Sequence, residues 1–100
     1  MLHTVNKSPF ERTSLASCLR YARKGDAILL YEDGVYAARR NAKTAAELAA
    51  TAKDLNLFVL GPDLDARGVA ADQVIEGIQI VDYGGFVDLA AENGPVQAWL

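Results

Sequence analysis

The chain has 100 residues, 51% of them hydrophobic and 23% charged, which is typical of one globular domain spanning residues 1–100. Its formal net charge of -3 argues against a free-standing nucleic-acid-binding protein, because such proteins present strongly basic surfaces. A lone cysteine cannot form an internal disulfide, no signal-peptide pattern opens the sequence, and no apolar run is long enough to cross a membrane. We therefore expect a cytoplasmic protein without membrane contact.

The first quarter of the chain predicts a strand followed by a helix. Residues 1–6 form a short strand candidate. Ser8, Pro9 and Glu11 then form a helix start signal, because serine caps a helix, proline fits its first turn, and the glutamate completes a capping box. The predicted helix runs to about Arg23.

Two continuous apolar runs in the middle of the chain predict buried strands. Residues 27–31 and 57–60 have strand length and no polar alternation, a pattern typical of strands covered on both faces of a parallel sheet. Glu32-Asp33-Gly34 predicts a turn after the first run. The alanine-rich residues 44–53 predict a helix between the two runs.

The last third continues the alternation. We predict a short helix over residues 61–68, a strand over 78–81 and a helix over 83–92 with Asp82 as its N-terminal cap. Residues 96–100 are interpreted as a short apolar tail. The whole pattern predicts an α/β fold with a small, four-stranded, mainly parallel sheet and helices on both faces.

In such sheets, ligands bind beyond the carboxyl ends of the strands, so the residues at those ends are candidate site residues. They are Lys7-Ser8, Glu32-Asp33, Gly61-Pro62-Asp63 and Asp82-Tyr83. These carboxylates could act as acids or bases, but Asp-Gly and Pro-Asp pairs are above all turn sequences. His3, the only histidine, is better interpreted as a packed strand residue than as a base. We predict no metal, because no ligand set has the required spacing, and no cofactor, because the sequence has no P-loop and no glycine-rich dinucleotide fingerprint.

Cys18 has two interpretations. Its neighbours on the predicted helix face are Leu15, Leu19 and Ala22, and it lies too far inside the helix for the helix dipole to lower its pKa. The pattern favours a small buried side chain over a reactive thiol, although an interface position stays open. The tail raises a similar choice, because Trp99 and Leu100 could pack on their own core or on a partner chain.

Four segments resemble the DsrH/TusB family in register over nearly the whole chain. They are MLHTVNKSPF, LYEDGVYAA, GPDLDARG and VDYGGFVDLAAENGPVQAWL. The resemblance implies a DsrE/DsrF-like fold and a role as one subunit of a cytoplasmic sulfurtransferase complex that relays persulfide sulfur. The pathway would be sulfur oxidation in the DsrH branch, or 2-thiolation of the tRNA wobble uridine in the TusB branch.

The resemblance also implies the partners and the site. The partners would be DsrE/TusD-like and DsrF/TusC-like subunits in a heterohexamer, with sulfur-carrier proteins reached through the complex and no direct contact with nucleic acid. The main acceptor cysteine would lie on a partner subunit. Cys18 matches a cysteine of DsrH-type members, which favours that branch and makes Cys18 a candidate auxiliary sulfur acceptor.

The alternative is a non-catalytic scaffold subunit whose Cys18 is structural. A stand-alone hydrolase using strand-end carboxylates is disfavoured, because the sequence lacks a histidine partner and a nucleophile elbow. The residues expected to shape the subunit and its interfaces are Ser8, Pro9, Phe10, Glu32, Asp33, Gly34, Trp99 and Leu100.

Overall fold

The computed structural model describes residues 1–10 and 13–100. The elements follow in the order β1 (Leu2–Val5), α1 (Ser14–Tyr21), β2 (Ala27–Leu30), a first 3₁₀ helix (Glu32–Ala38), α2 (Ala45–Thr51), β3 (Asn56–Leu60), α3 (Gly61–Ala66), a second 3₁₀ helix (Ala71–Gln73), β4 (Gln79–Val81), α4 (Tyr83–Glu92) and β5 (Val96–Trp99). No helix in the described part of the chain is long and apolar enough to cross a membrane.

The strands form one sheet in the order β4-β3-β2-β1-β5, and each neighbouring pair is parallel. The predicted α/β class and parallel pairing are therefore confirmed. The predicted number of four strands is wrong, because residues 96–99 are a fifth strand at the edge beside β1, with Leu2 opposite Val96. Most of β5 is exposed to solvent, and main-chain pairing holds it in place, so its side chains carry no buried-strand pattern.

Helices cover both faces of the sheet, as predicted. On one face, α1, α2, α3 and the first 3₁₀ helix enclose the larger core, to which they contribute Leu15, Leu48, Leu64 and Val35. On the other face, α4 packs Leu89 against β1 and β2. Burial of these apolar side chains is the main favourable term in folding.

Two predicted helix starts have different outcomes. The first is wrong, because α1 begins at Ser14 and residues 8–10 form a turn in which the Phe10 N–H donates to Ser8 Oγ (3.2 Å). Glu11, the third member of the predicted capping box, lies outside the described residues. The second is confirmed, because α4 begins after Asp82, whose carboxylate accepts a hydrogen bond from the Gly85 N–H (2.8 Å).

Candidate functional site

The carboxyl ends of β2 and β3 bring four polar residues together, which we call the strand-end cluster: Glu32, Asp33, Asp63 and Arg67. The backbone N–H of Glu32 donates to Asp63 Oδ2 (2.6 Å). Arg67 Nε donates to Asp33 Oδ1 (2.9 Å), and Arg67 Nη1 lies 3.8 Å from Asp63 Oδ1. The hydrogen bond to Asp33 raises the pKa of the Arg67 guanidinium, which is a permanent cation. Two of the predicted strand ends therefore meet at one edge.

In this geometry the strand-end cluster joins the first 3₁₀ helix to α3. Asp63 accepts a hydrogen bond from the backbone N–H of Glu32, and Asp33 accepts one from the side chain of Arg67. His3 is buried in the tail cluster described below, so it supplies no base here. Both carboxylates are engaged in contacts within the chain, which is the arrangement of structural ion pairs rather than of a free acid–base pair. The arrangement gives no support to the hydrolase interpretation.

Gly34 allows the first 3₁₀ helix to cross the end of β1. A Cβ atom at this position would overlap the carbonyl oxygen of Val5 and lie 3.0 Å from the carbonyl carbon of the same residue. Backbone atoms cannot move aside as a flexible side chain can, so only glycine fits. This close approach sets the path of the segment that carries Asp33, and through Asp33 it positions Arg67.

Cys18 lies inside the larger core and has no exposed surface. It belongs to the same apolar cluster as Leu15 and Val5. Burial, with a smaller contribution from the negative charge of Asp26, raises the pKa of the Cys18 thiol from 9.0 to about 12. Because the thiolate is the nucleophile, this environment suppresses thiol chemistry at neutral pH.

The environment predicts slow alkylation of Cys18 in the folded chain. We expect Cys18 to react with iodoacetamide at least about 100-fold more slowly than an exposed helical cysteine, because both the thiolate fraction and reagent access are low. The matched control is Ala16→Cys in a Cys18→Ala background, which places a thiol on the exposed side of α1. Equal labelling rates at pH 7 would contradict the buried position.

Side-chain contacts among four residues also hold β5 in place. We call these residues the tail cluster: His3, Asp26, Trp99 and Tyr21. Trp99 Nε1 donates to His3 Nδ1 (3.1 Å), and His3 Nε2 lies 2.9 Å from Asp26 Oδ2. An indole N–H can only donate, so His3 Nδ1 accepts and Nε2 carries the proton that is donated to Asp26. The Tyr21 ring meets Trp99 edge-on at 5.7 Å between centroids.

The tail cluster shows how the carboxyl-terminal residues pack within the chain. Trp99 packs on its own chain, and Ser14 Oγ donates to the Leu100 carbonyl (3.1 Å). The Leu100 side chain is 74% exposed and stays a candidate interface residue. The contacts of Asp26 with His3 and of His3 with Trp99 were not predicted, because 23 and 96 residues separate the partners in the sequence.

The remaining interface candidates differ in accessibility. Ser8 is buried, Pro9 is half-buried and Phe10 is 53% exposed, with the Arg39 guanidinium 6.0 Å from its ring centroid. In residues 1–10 and 13–100, no three His, Cys, Asp or Glu side chains converge as a metal site. The predicted site residues therefore fall into separate places in the fold: Cys18 in the core, the strand-end cluster at one sheet edge and Trp99 in the tail cluster.

Comparison with known proteins gives full-length matches. A family model described as DsrH like protein matches residues 7–96. Protein TusB of Erwinia tasmaniensis is 43% identical over 100 residues, covering 99% of this chain and 100% of that protein. Protein TusB of Pectobacterium parmentieri is 38% identical over 99 residues, with the same coverage.

Two solved structures share the fold at low sequence identity. The ychN protein from E. coli superposes with a TM-score of 0.80 at 19% identity and covers 97% of both chains. The protein of unknown function MTH1491 from Methanobacterium thermoautotrophicum gives a TM-score of 0.77 at 18% identity and covers 97% of this chain and 95% of its own. These similarities establish the architecture alone.

The parallel five-stranded sheet with helices on both faces, together with its structural neighbours, defines a small α/β protein of the DsrE-like fold. Within that class, the chain belongs to the DsrH-like family, as the sequence resemblance predicted. Its functional class is that of a sulfur-relay subunit.

Proposed function

We propose that the chain is the TusB-type subunit of a cytoplasmic sulfurtransferase complex and that it positions its partners without carrying sulfur itself. The complex would relay persulfide sulfur towards 2-thiolation of the tRNA wobble uridine. The curated relatives compared above carry the TusB name over the full chain length. Their similarity favours the tRNA branch over the sulfur-oxidation branch that the presence of Cys18 had favoured.

The burial of Cys18 is the observation that carries the scaffold role. Persulfide transfer requires a thiolate to attack the sulfane sulfur, so both ionisation and access are needed. The Cys18 thiol has no exposed surface and its pKa is raised to about 12. A sulfur-carrier protein could reach it only after α1 had moved away from the sheet. A structural Cys18 therefore accounts for its environment better than an auxiliary sulfur acceptor does.

The working cysteine would then lie on a partner. We propose DsrE/TusD-like and DsrF/TusC-like subunits as those partners, assembled with this chain as a heterohexamer. Apolar side chains are available for such contacts: Tyr83 and Val87 on α4 are 61% and 67% exposed, and Leu100 extends beyond β5. Exposed apolar side chains of this kind are common at subunit interfaces.

A reconstituted relay separates the scaffold role from the acceptor role. We expect the complex containing Cys18→Ala to assemble and to transfer sulfur within about threefold of wild type, because alanine keeps the site apolar. Omission of this chain is expected to reduce transfer at least about tenfold, because the partner subunits lose their positioning. The measurement is the rate of sulfur transfer from a persulfide donor to the next carrier.

The control is replacement of the acceptor cysteine on the DsrE/TusD-like partner, which should abolish transfer. Thermal unfolding of the isolated Cys18→Ala chain checks that the variant folds. A complex that assembles normally with folded Cys18→Ala but transfers no sulfur would overturn the scaffold role and make Cys18 a relay thiol.

A further inference from the structure

A cationic cleft lies beside the strand-end cluster in a chain whose net charge is negative. It is open to solvent, has a volume of about 430 Å³ and is lined by the residues Arg39, Arg40, Asn41, Arg67, Gly68, Val69, Asp72 and Gln73. Three of these residues are arginines, and Asp72 is the only carboxylate among them. The local charge of the cleft is therefore opposite to the net charge of -3 of the chain.

Two of the arginines are anchored through Nε and have no carboxylate partner among residues 1–10 and 13–100. Arg39 Nε donates to the Tyr36 carbonyl (3.3 Å), and the guanidinium lies 5.1 Å from the Tyr36 ring centroid. Arg40 Nε donates to the Val74 carbonyl (3.1 Å). These contacts restrict both side chains and leave the terminal Nη groups to bind a ligand.

Arg67 is the third arginine of the cleft, and it is also held through its Nε atom. Its Nε donates to Asp33, and its Nη1 forms an ion pair with Asp63 Oδ1 at 3.8 Å, which is beyond hydrogen-bond distance, so the terminal Nη groups keep their donors. The ion pairs with Asp33 and Asp63 offset the charge of Arg67, and Arg39 and Arg40 therefore supply most of the uncompensated positive charge. Three guanidinium groups held by their inner nitrogen present a fixed set of N–H donors at one cleft.

Neutral side chains add further donors. Gln73 Oε1 accepts from the Ala70 N–H (3.1 Å), which leaves the Gln73 amide nitrogen free to donate. Asn41 is exposed at the rim of the cleft and carries a second amide nitrogen. The negative charge of Asp72 repels anions, so an anionic ligand would have to bind within reach of the arginines. The lining as a whole is rich in donors and poor in acceptors.

We propose that this cleft binds a tetrahedral oxyanion of the phosphate or sulfate class, either free or as the terminal group of a small molecule. Such a group accepts hydrogen bonds on several oxygens and matches the forked geometry of guanidinium groups. The volume of about 430 Å³ exceeds what a single oxyanion needs and accommodates an attached small molecule. This site is independent of Cys18 and of the proposed role in sulfur transfer.

Nuclear magnetic resonance titration of the full-length, nitrogen-15-labelled chain tests the proposal. Sodium phosphate and sodium sulfate are added in separate titrations, with sodium chloride keeping the ionic strength constant. We expect saturable shifts of the Arg39, Arg40 and Arg67 Nε–H signals with at least one of the two oxyanions. Saturation by phosphate alone, by sulfate alone or by both identifies which tetrahedral group the cleft accepts.

The variants Arg39→Gln and Arg40→Gln are each expected to weaken binding about tenfold, the effect of losing hydrogen bonds from a charged donor. Arg20→Gln is the matched control, because it removes the same charge from the exposed side of α1 and should leave the affinity unchanged. Shifts that grow linearly without saturation for both oxyanions would overturn the proposal. Equal affinities in folded Arg39→Gln, Arg40→Gln and Arg20→Gln chains would overturn it as well.

Discussion

Replacing Gly34 with alanine is expected to lower the free energy of unfolding by at least about 3 kcal/mol, because the new methyl group overlaps the backbone carbonyl of Val5. The overlap can be relieved only by moving the first 3₁₀ helix away from the end of β1. That movement would also displace Asp33 and weaken its ion pair with Arg67. Urea unfolding followed by circular dichroism measures the loss.

Gly84→Ala is the matched control for this substitution. A Cβ atom at Gly84 would lie 3.4 Å from the Asp82 carboxylate, and Gly84 lies within the first turn of α4. We expect a change of less than about 1 kcal/mol, in the stabilising direction, because alanine favours helix over glycine. A Gly34→Ala chain as stable as Gly84→Ala would show that the segment after β2 does not approach β1 as described.

Replacing Asp26 with alanine is expected to lower the free energy of unfolding by about 2–3 kcal/mol. The substitution leaves the proton on His3 Nε2 without its acceptor, and the His3 side chain has no exposed surface. It also removes the acceptor of the Arg23 N–H (3.0 Å), which follows α1. Asp54→Ala is the matched control, since it removes an exposed carboxylate nearby and should cost less than about 0.5 kcal/mol.

Asp26 stabilises the folded chain at neutral pH, and this stabilisation is lost in acid. The Arg23 N–H, and next His3, hold the pKa of Asp26 down to about 2 from its ordinary value of 3.8. The folded state therefore favours the carboxylate, so the contribution is complete above pH 3.8 and is lost as the pH falls towards 2. The stability difference between wild type and Asp26→Ala should narrow over that range. A difference that stays constant from pH 5 to pH 2 would contradict the hydrogen bonds assigned to Asp26.

The buried strands were predictable because nearly all of their residues are apolar and have to be removed from water. The runs that became β2 and β3 are apolar on both faces, and a strand inside a parallel sheet is the simplest way to bury such a run. The helix at Tyr83–Glu92 was predicted with its cap, because Asp82 satisfies a backbone N–H that every helix start leaves free.

The misplaced elements depend on contacts that local sequence does not reveal. β5 is held by main-chain pairing with β1, from which it is distant in the chain, so its mostly exposed residues gave no buried-strand pattern. Ser8 belongs to the amino acids that cap helices, but its hydroxyl serves a local turn instead. A pattern of capping residues predicts that a side chain accepts a hydrogen bond from a backbone N–H. It does not distinguish the start of a helix from an isolated turn.

The candidate site shows the same limit. Parallel topology made the residues at the carboxyl ends of the strands candidate site residues, and the backbone N–H of Glu32 donates to the Asp63 carboxylate there. The role of Arg67 was not predicted, because its partner Asp33 is 34 residues away in the sequence. The apolar neighbours of Cys18 did favour a buried thiol, and its place in the core follows from that helix face.

Intact-mass measurement of every subunit after exposure of the reconstituted complex to a persulfide donor tests the scaffold role most directly. The measurement should be made with wild-type chain and with Cys18→Ser, at short and long exposure. The scaffold role predicts that a partner subunit gains the mass of sulfur while this chain keeps its unmodified mass in both samples. The scaffold role would be contradicted if the wild-type chain gained one sulfur atom as fast as the complex transfers sulfur and the Cys18→Ser chain gained none. That result would establish Cys18 as a carrier.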